Sequence, residues 1–484
     1  MIVEAPRASK SRQAARESLR STTPDIMSLT QALRAQLRGS VLDAGADAFD
    51  ALRRVWNGAI DRRPCAIARC ADARDVQVAL QIARDHGVGV TVRGGGHNVA
   101  GLAVRDEALL LDLGAMRAVS VNAKLRIATV EGGALWSDVD AATADAGLAT
   151  TGGVISTTGV GGFTLGGGVG WLMRRFGLAC DNLSGAQVVL ADGRIVNADA
   201  SENPELYWGL RGGAGGLGVV TNLQFRLYPL TQVLAGLIIF DADDSATVLR
   251  HFRDFALEAP DEFCGLTVLT TAPPLPFLDA AWHGAPACIV AFCWSGDLTA
   301  GERAVEPIRH AAAPLGELIA AMPYRGWQQM LDPSAPAGRH CYWKSANFAG
   351  LSDGVIDLIV SAARALPTPV TELHVQHLGG AVSRVPSSEC AFAHRDTRFF
   401  VNLMGCAADE RDFETTRAWV RELHTRLADE AAPGRMPNFS DQDDQDMVTC
   451  FGKDNAQRLQ ELRRRYDPDR MFASSAHSDG KREP

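Results

Sequence analysis

The sequence predicts an α+β protein built in two compositional parts. Its first half carries three glycine-rich runs: Gly94–Gly96 followed by His97, then 152–170, then 212–218. Nine of the nineteen residues from Gly152 to Gly170 are glycine, against 47 of 484 overall, so the unusual backbone is concentrated there. After about Pro229 glycine thins out. Strand-like runs (235–240, 288–294, 372–378, 399–403) then alternate with helical ones (246–256, 302–312, 352–363, 410–429). That pattern predicts an antiparallel sheet covered on one face by helices.

Bulk properties narrow the function. A length of 484 residues and 46% hydrophobic content suffice for two or three domains with a sizeable core. A formal net charge of −9, with the charges scattered, argues against nucleic acid or an anionic membrane as partner. No apolar run approaches the roughly 20 residues that span a bilayer. Residues 1–24 carry Arg7, Lys10, Arg12, Arg16 and Arg20 without an apolar core, and Glu4 and Glu17 weaken a transit-peptide reading. A disordered or helical extension is expected there. The ten cysteines (Cys65, Cys70, Cys180, Cys264, Cys288, Cys293, Cys341, Cys390, Cys406 and Cys450) show no C-x-x-C spacing. Free or buried thiols in a reducing, cytoplasmic setting are expected, without a metal site.

Taken in order, a short strand at 66–68 leads into a helix over 72–86. There Val76, Ala79, Leu80 and Ala83 fall at i, i+3, i+4 and i+7, and Gly87 closes the helix. The next strand stops at Arg93 and delivers the first glycine run, where backbone N–H groups can approach an anion and φ > 0 is allowed. This β-α-β start lacks the G-x-G-x-x-G order, and its glycines follow the second strand, so a nicotinamide dinucleotide site is disfavoured. Strands at 109–113, 118–121 and 125–130 and a helix at 135–146 follow. In the second run, Ser156, Thr157, Thr158 and Thr164 and many free N–H groups suit a pyrophosphate without any lysine. The Val, Ile, Phe, Leu and Trp interleaved there argue against a linker. Asp192-Gly193 predicts a hairpin between 186–190 and 194–196. The third run feeds a strand at 219–227, and a basic helix at 455–466 stops at Asp467-Pro468.

These runs, taken together, resemble the berberine-bridge-enzyme-like FAD-linked oxidases of the vanillyl-alcohol-oxidase/PCMH flavoprotein superfamily. The resemblance is carried by Trp56-Asn57-Gly58, Arg93-Gly94-Gly95-Gly96-His97, Thr157–Gly168, Gly177–Asn182, Asn203-Pro204 with Trp208, Arg211-Gly212-Gly213 and Tyr466-Asp467-Pro468. It covers about Ala48 to Phe472. It implies a PCMH-type FAD-binding domain in two pieces, residues 25–231 and the returning segment 431–484, with a substrate domain at 232–430. It also implies FAD held covalently, His97 being joined to the flavin 8α-methyl. Many relatives add a second link from a cysteine that aligns with Ile155, so a single link is expected. The cofactor contacts it implies are Arg93, Gly94, Gly95, Gly96, Asn98, Gly101, Val154, Ser156, Thr157, Thr158, Gly159, Gly161, Gly162, Gly168, Asp181, Val220 and Asn438.

The catalytic base is sought in 371–380. Strand alternation puts Glu372, His374 and Gln376 on one face and Leu373, Val375 and His377 on the other. His374 aligns where some relatives carry glutamate, and an imidazole can act as general base near neutrality. Glu372 would orient it or replace it. His374 and His377 face opposite ways, which disfavours a metal. Tyr342 and Lys344 match a family segment lining the active-site side, making Tyr342 a candidate for substrate orientation. Three departures from the family pattern stand out: Gly215-Gly216-Leu217-Gly218, Met436 before Pro437-Asn438-Phe439, and Ser474–Ser478 after the Asp-Pro turn.

The resemblance implies an FAD-dependent oxidase of bacterial secondary-metabolism type. Its substrate would be a small phenolic, polyketide or alkaloid-like molecule that yields a hydride to flavin N5, with O2 reduced to H2O2. The alternatives are a flavin dehydrogenase or monooxygenase on the same fold, and a redox-silent flavin-binding scaffold or cyclase.

Overall fold

In the computed structural model, residues 25–444 and 446–472 are described; the extension expected at 1–24 and the Ser474–Ser478 end lie outside them. Three of the first four strands form where the sequence reading places them; the strand Ser40–Leu42 is additional to it. β1 (Ser40–Leu42), β2 (Ala66–Arg69), β3 (Val90–Arg93) and β4 (Leu109–Asp112) make a sheet of order β1-β2-β4-β3, with β2 and β3 both parallel to β4. The crossover helix Ala73–Asp85 starts at Asp72, whose side chain accepts from the N–H groups of Arg74 and Asp75. It buries Val76, Ala79, Leu80 and Ala83. The outer edge of β3 is not left bare: Val90 N donates to Met471 O at 2.9 Å, so the end of the described chain covers it.

A second, antiparallel sheet has the order β5-β6-β10-β8-β9, from β5 (Val119–Asn122), β6 (Ile127–Glu131), β8 (Leu183–Val189), β9 (Ile195–Ala198) and β10 (Val219–Arg226). Two short strands, β7 (Leu148–Ala149) and β11 (Tyr228–Pro229), pair beside it. The hairpin β8–β9 turns at Gly193, where φ is 85°. β8 begins earlier than its apolar run because Leu183 and Gly185 pair with β10, with Ser184 at a register shift between them. The returning helix Lys453–Tyr466 buries Leu459, Leu462 and Tyr466 in the same core as Trp208 and Leu217.

The middle of the chain forms one seven-stranded antiparallel sheet of order β15-β12-β14-β13-β17-β18-β16. Its strands are β12 (Gln232–Asp241), β13 (Phe263–Thr271), β14 (Pro286–Trp294), β15 (Pro314–Pro323), β16 (His340–Phe348), β17 (Glu372–His377) and β18 (Phe399–Ala407). The helices Ser245–Glu258, Leu298–Arg309, Asp353–Ala363 and Glu410–Leu427 close one face around Ile238, Phe240, Phe252, Ile356 and Val420. This is the expected α+β arrangement. The other face carries Leu237, Leu266, Ile289 and Ala291, in one core with Trp171, Leu172 and Met173 of the glycine-rich part. Arg174 ties the two parts together. Its buried guanidinium donates to Phe263 O at 2.7 Å, Ala259 O at 2.9 Å and Leu378 O at 2.5 Å.

One expectation from composition is corrected. Cys341 and Cys406 stand directly opposite each other on β16 and β18, with Cα atoms 4.3 Å apart, and are joined by a disulfide. Sixty-five residues separate them in sequence, so only the strand register reveals the pair. The other eight cysteines are free. Cysteine usage therefore gives no ground for assigning a reducing compartment.

Candidate active site

A single cavity of about 1950 Å³ runs between the glycine runs and the sheet face that the helices leave bare. Its first wall is backbone. A Cβ on Gly95 would lie 2.5 Å from Gly159 N, so the first two glycine runs touch main chain to main chain. The wall includes Gly94, Gly95, Gly96, Asn98, Val154, Thr158, Gly159, Gly161, Gly162 and Val220. Ala214, Gly215, Gly216 and Gly218 of the third run continue it. Asn438 also lines it and donates Nδ2 to Phe163 O at 2.9 Å, which ties the returning segment to the second run.

His97 lines the same cavity. Its ring stacks on Trp56 with centroids 4.7 Å apart and planes 20° apart. Burial pulls its pKa down to about 4, so it is a neutral imidazole near pH 7. Its Nε2 is buried without a hydrogen-bond partner. Asn57 holds this corner to the sheet: Nδ2 donates to Val99 O at 2.6 Å and Cys341 O at 2.8 Å, and Oδ1 accepts from Cys341 N at 2.9 Å. Trp343 meets Trp56 edge to face at 5.5 Å. A close backbone cradle, an orphaned neutral imidazole nitrogen and the absence of any lysine along the glycine runs fit an extended dinucleotide flavin.

The facing wall is the sheet. Glu372, His374 and Gln376 line the cavity, while Leu373 and Val375 sit in the helix-side core, as alternation predicts. His374 Nε2 lies 2.7 Å from Glu372 Oε2. Across the β17–β18 register, Asn402 pairs with His374 and also lines the cavity. Gln376 Nε2 and Asn402 Oδ1 are buried without partners, which marks them as groups waiting for a polar ligand atom. Asn402 lay inside a strand the sequence predicted; extending the alternation from Phe400 would have found it.

Several expected site residues point elsewhere. Tyr342 lies on the opposite face of β16 from Cys341 and Trp343 and is absent from the cavity wall. Its hydroxyl donates to Asp443 at 2.7 Å and accepts from Arg421 at 2.9 Å, and burial pushes its pKa up. It is not placed to orient a substrate. Lys344 likewise pairs with Asp444 at 2.7 Å. Arg93 turns its guanidinium away from the cavity, onto Asp112 at 3.0 Å and the Leu52 carbonyl. Ser156 spends both N and Oγ on Asp332, at 2.7 and 2.6 Å, and Thr157 is exposed outside the cavity. Gly101 and Gly168 also lie off the wall. Their φ angles are 66° and 84°, and a Cβ would strike Ile60 or Ala179. Asp181 is buried under Arg395, whose two terminal nitrogens reach its carboxylate at 2.8 and 2.7 Å. Cys180, Asp181 and Cys390 form a group with metal-type donors, but Arg395 already supplies the cation and reaches Cys390 Sγ at 2.9 Å.

Comparison with known proteins agrees with this geometry. Residues 64–199 match an FAD binding domain family. The (R)-6-hydroxynicotine oxidase of Paenarthrobacter nicotinovorans is 28% identical over 472 residues, covering 94% of this chain and 99% of the relative. Among solved structures, Physcomitrella patens BBE-like 1 superposes with a TM-score of 0.84 at 23% identity, covering 92% of this chain and 98% of that one. The 6-hydroxy-D-nicotine oxidase from Arthrobacter nicotinovorans gives a TM-score of 0.82 at 26% identity with the same two coverages. No helix among the described residues is long and apolar enough to cross a membrane.

Proposed function

We propose that the chain, which is similar to FAD-linked oxidases over nearly its whole length, is itself an oxidase of a small organic molecule, with FAD tethered once, through His97. The observation that carries this reading is the Glu372–His374 pair, 2.7 Å apart, in the same cavity as the glycine cradle and the unpaired imidazole of His97. When bound, FAD supplies the two-electron acceptor for a hydride and passes the electrons to O2, giving H2O2.

The protein's own groups do the rest. Backbone at Gly94–Gly96, Gly159, Gly161, Gly162, Gly215, Gly216 and Gly218 would hold the cofactor's phosphates and ring without a lysine. His97, kept neutral by desolvation, would hold the cofactor through its unpartnered ring nitrogen. Ile155 lines the cavity where a second tether would need a thiol. With Nε2–H donated to Glu372, His374 carries its lone pair on Nδ1 and takes a proton from a substrate O–H, N–H or C–H group. The Glu372 carboxylate then steadies the imidazolium. Gln376 and Asn402 orient the polar end of the substrate. We assign a small molecule plus O2 as partners.

The test is rapid mixing of holoenzyme with a panel of phenolic, polyketide and alkaloid-like compounds, first without oxygen and then with it. Substrate-driven bleaching, fast reoxidation in air and one H2O2 per turnover are expected. Slow reoxidation would instead make the enzyme a dehydrogenase. An oxygenated product with little peroxide would make it a monooxygenase. Normal photoreduction with no bleaching by any compound would leave a redox-silent flavin scaffold.

A further inference from the structure

The sheet that roofs the cavity sorts its side chains by polarity. β17 and β18 contribute Glu372, His374, Gln376 and Asn402, and aromatic rings gather at this end. Phe439 stacks with Trp343 at 6.4 Å and packs on Phe400 at 4.8 Å. The four remaining strands past β17 are different. β13 gives Leu266 and Val268, β14 gives Ile289 and Ala291, β12 gives Leu237 and β15 gives Leu318. The only hydroxyls they bring to the cavity are Thr270 and Thr271. Both are spent on backbone carbonyls, Thr371 O at 3.4 Å and Pro369 O at 2.9 Å.

The chain leaving β13 extends this lobe. Ala272-Pro273-Pro274-Leu275-Pro276-Phe277 lines the cavity, and three of its six residues are prolines with no N–H to offer. Ile155, Met330 and Leu331 line the cavity as well. A polyhydroxylated ligand laid here would lose hydrogen bonds to water and find few in return, His283 being the polar side chain at this rim. The volume also asks for a second occupant. At about 1950 Å³ the cavity is near twice the upper end, about 1,000 Å³, for a site that holds one drug-sized ligand.

We propose that the lobe under β15, β12, β14 and β13 is a subsite for an aliphatic tail. The substrate then has an aromatic, oxidisable polar head at Glu372–His374 and a hydrocarbon chain reaching toward the Pro273–Phe277 rim: an alkyl-substituted phenol rather than a sugar. This rests on the reading of the cavity as the substrate site of an FAD-linked enzyme, but not on its turning over with oxygen.

The probe is a 4-alkylphenol series from ethyl to nonyl, with xylobiose as the polar competitor. Binding to the holoenzyme is read from the perturbation of the flavin absorbance, so no turnover is required. Each added methylene is expected to lower Kd about threefold to fourfold, the value for burying one CH2 at about 0.8 kcal/mol, until the lobe is full. Leu318→Gln, on the far strand of the lobe, nearly keeps the volume and adds one amide. It is expected to weaken nonylphenol at least threefold more than ethylphenol, with a melting temperature showing that the variant folds. A Kd that does not change with chain length, or xylobiose binding tighter than nonylphenol, would overturn the subsite. Chain-length dependence without any flavin reduction would uphold the subsite and overturn only the oxidase reading.

Discussion

At His97 and His374 the chain uses one residue type in two ways, and the hydrogen-bond partner sets the difference. His97 is half-buried, with desolvation pulling its pKa down to about 4, so across the neutral range it is a neutral imidazole and not a cation. His374 shares its Nε2 with Glu372 and faces the cavity. Replacing His374 with Ala should slow anaerobic flavin reduction by about 10²–10⁴, the usual contribution of a general base, with the substrate Kd changed far less. A variant that reduces its flavin at the native rate would remove His374 from the chemistry. Tyr342→Phe is the matched control. It should leave the reduction rate within about twofold, yet lose about 1–2 kcal/mol in urea unfolding, because Asp443 and Arg421 each lose a hydrogen-bond partner.

Among the elements, the helix Trp136–Ala144 carries the least comfortable charge. Asp140 is buried, accepts one hydrogen bond from Gln328 Nε2 at 3.3 Å, and has its pKa raised to about 7 by burial. Between about pH 4 and pH 7 the folded chain holds a proton that the unfolded chain has lost. Stability therefore falls as pH rises through that window and levels off above it. Asp140→Asn should flatten this slope and raise stability at pH 8 by an amount on the order of 2–4 kcal/mol. Equal urea midpoints for the two proteins at pH 8 would contradict the assignment.

Element by element, legibility followed local pattern. The helix at 73–85 and the alternation of β17 were readable because one face of each is buried and the other is not. β13 is buried on both faces and interrupted by Gly265, so its period vanishes. β16 is rich in polar residues that are buried only because distant groups satisfy them, as Asp444 does for Lys344. The same reason misdirected part of the site. Arg93, Ser156 and Asp181 stand in the right motifs. Their partners Asp112, Asp332 and Arg395 lie 19, 176 and 214 residues away and take up their hydrogen bonds.

For the whole molecule, function lies between two bodies: a glycine-built cradle and a sheet whose bare face closes over it. The Cys341–Cys406 disulfide and the Asn57 bridge sit together where the sheet meets the His97 corner. Closing a loop of 65 residues constrains the unfolded chain by about 4 kcal/mol in the chain-entropy account. Reduction, or Cys406→Ser, should lower stability by up to that amount. Thiol titration of the denatured, unreduced protein should count eight free groups among the described residues. Ten would contradict the bridge.

On the proposed reading this cradle holds its flavin by one covalent bond, at His97 and without help at Ile155. Acid precipitation of the holoenzyme, followed by proteolysis and mass mapping of the yellow peptide, tests it most directly. A yellow pellet and a single flavin-bearing peptide containing His97 are expected, with a His97→Ala protein that releases intact FAD. A colourless pellet from the native protein, or a flavin-bearing peptide without His97, would contradict it.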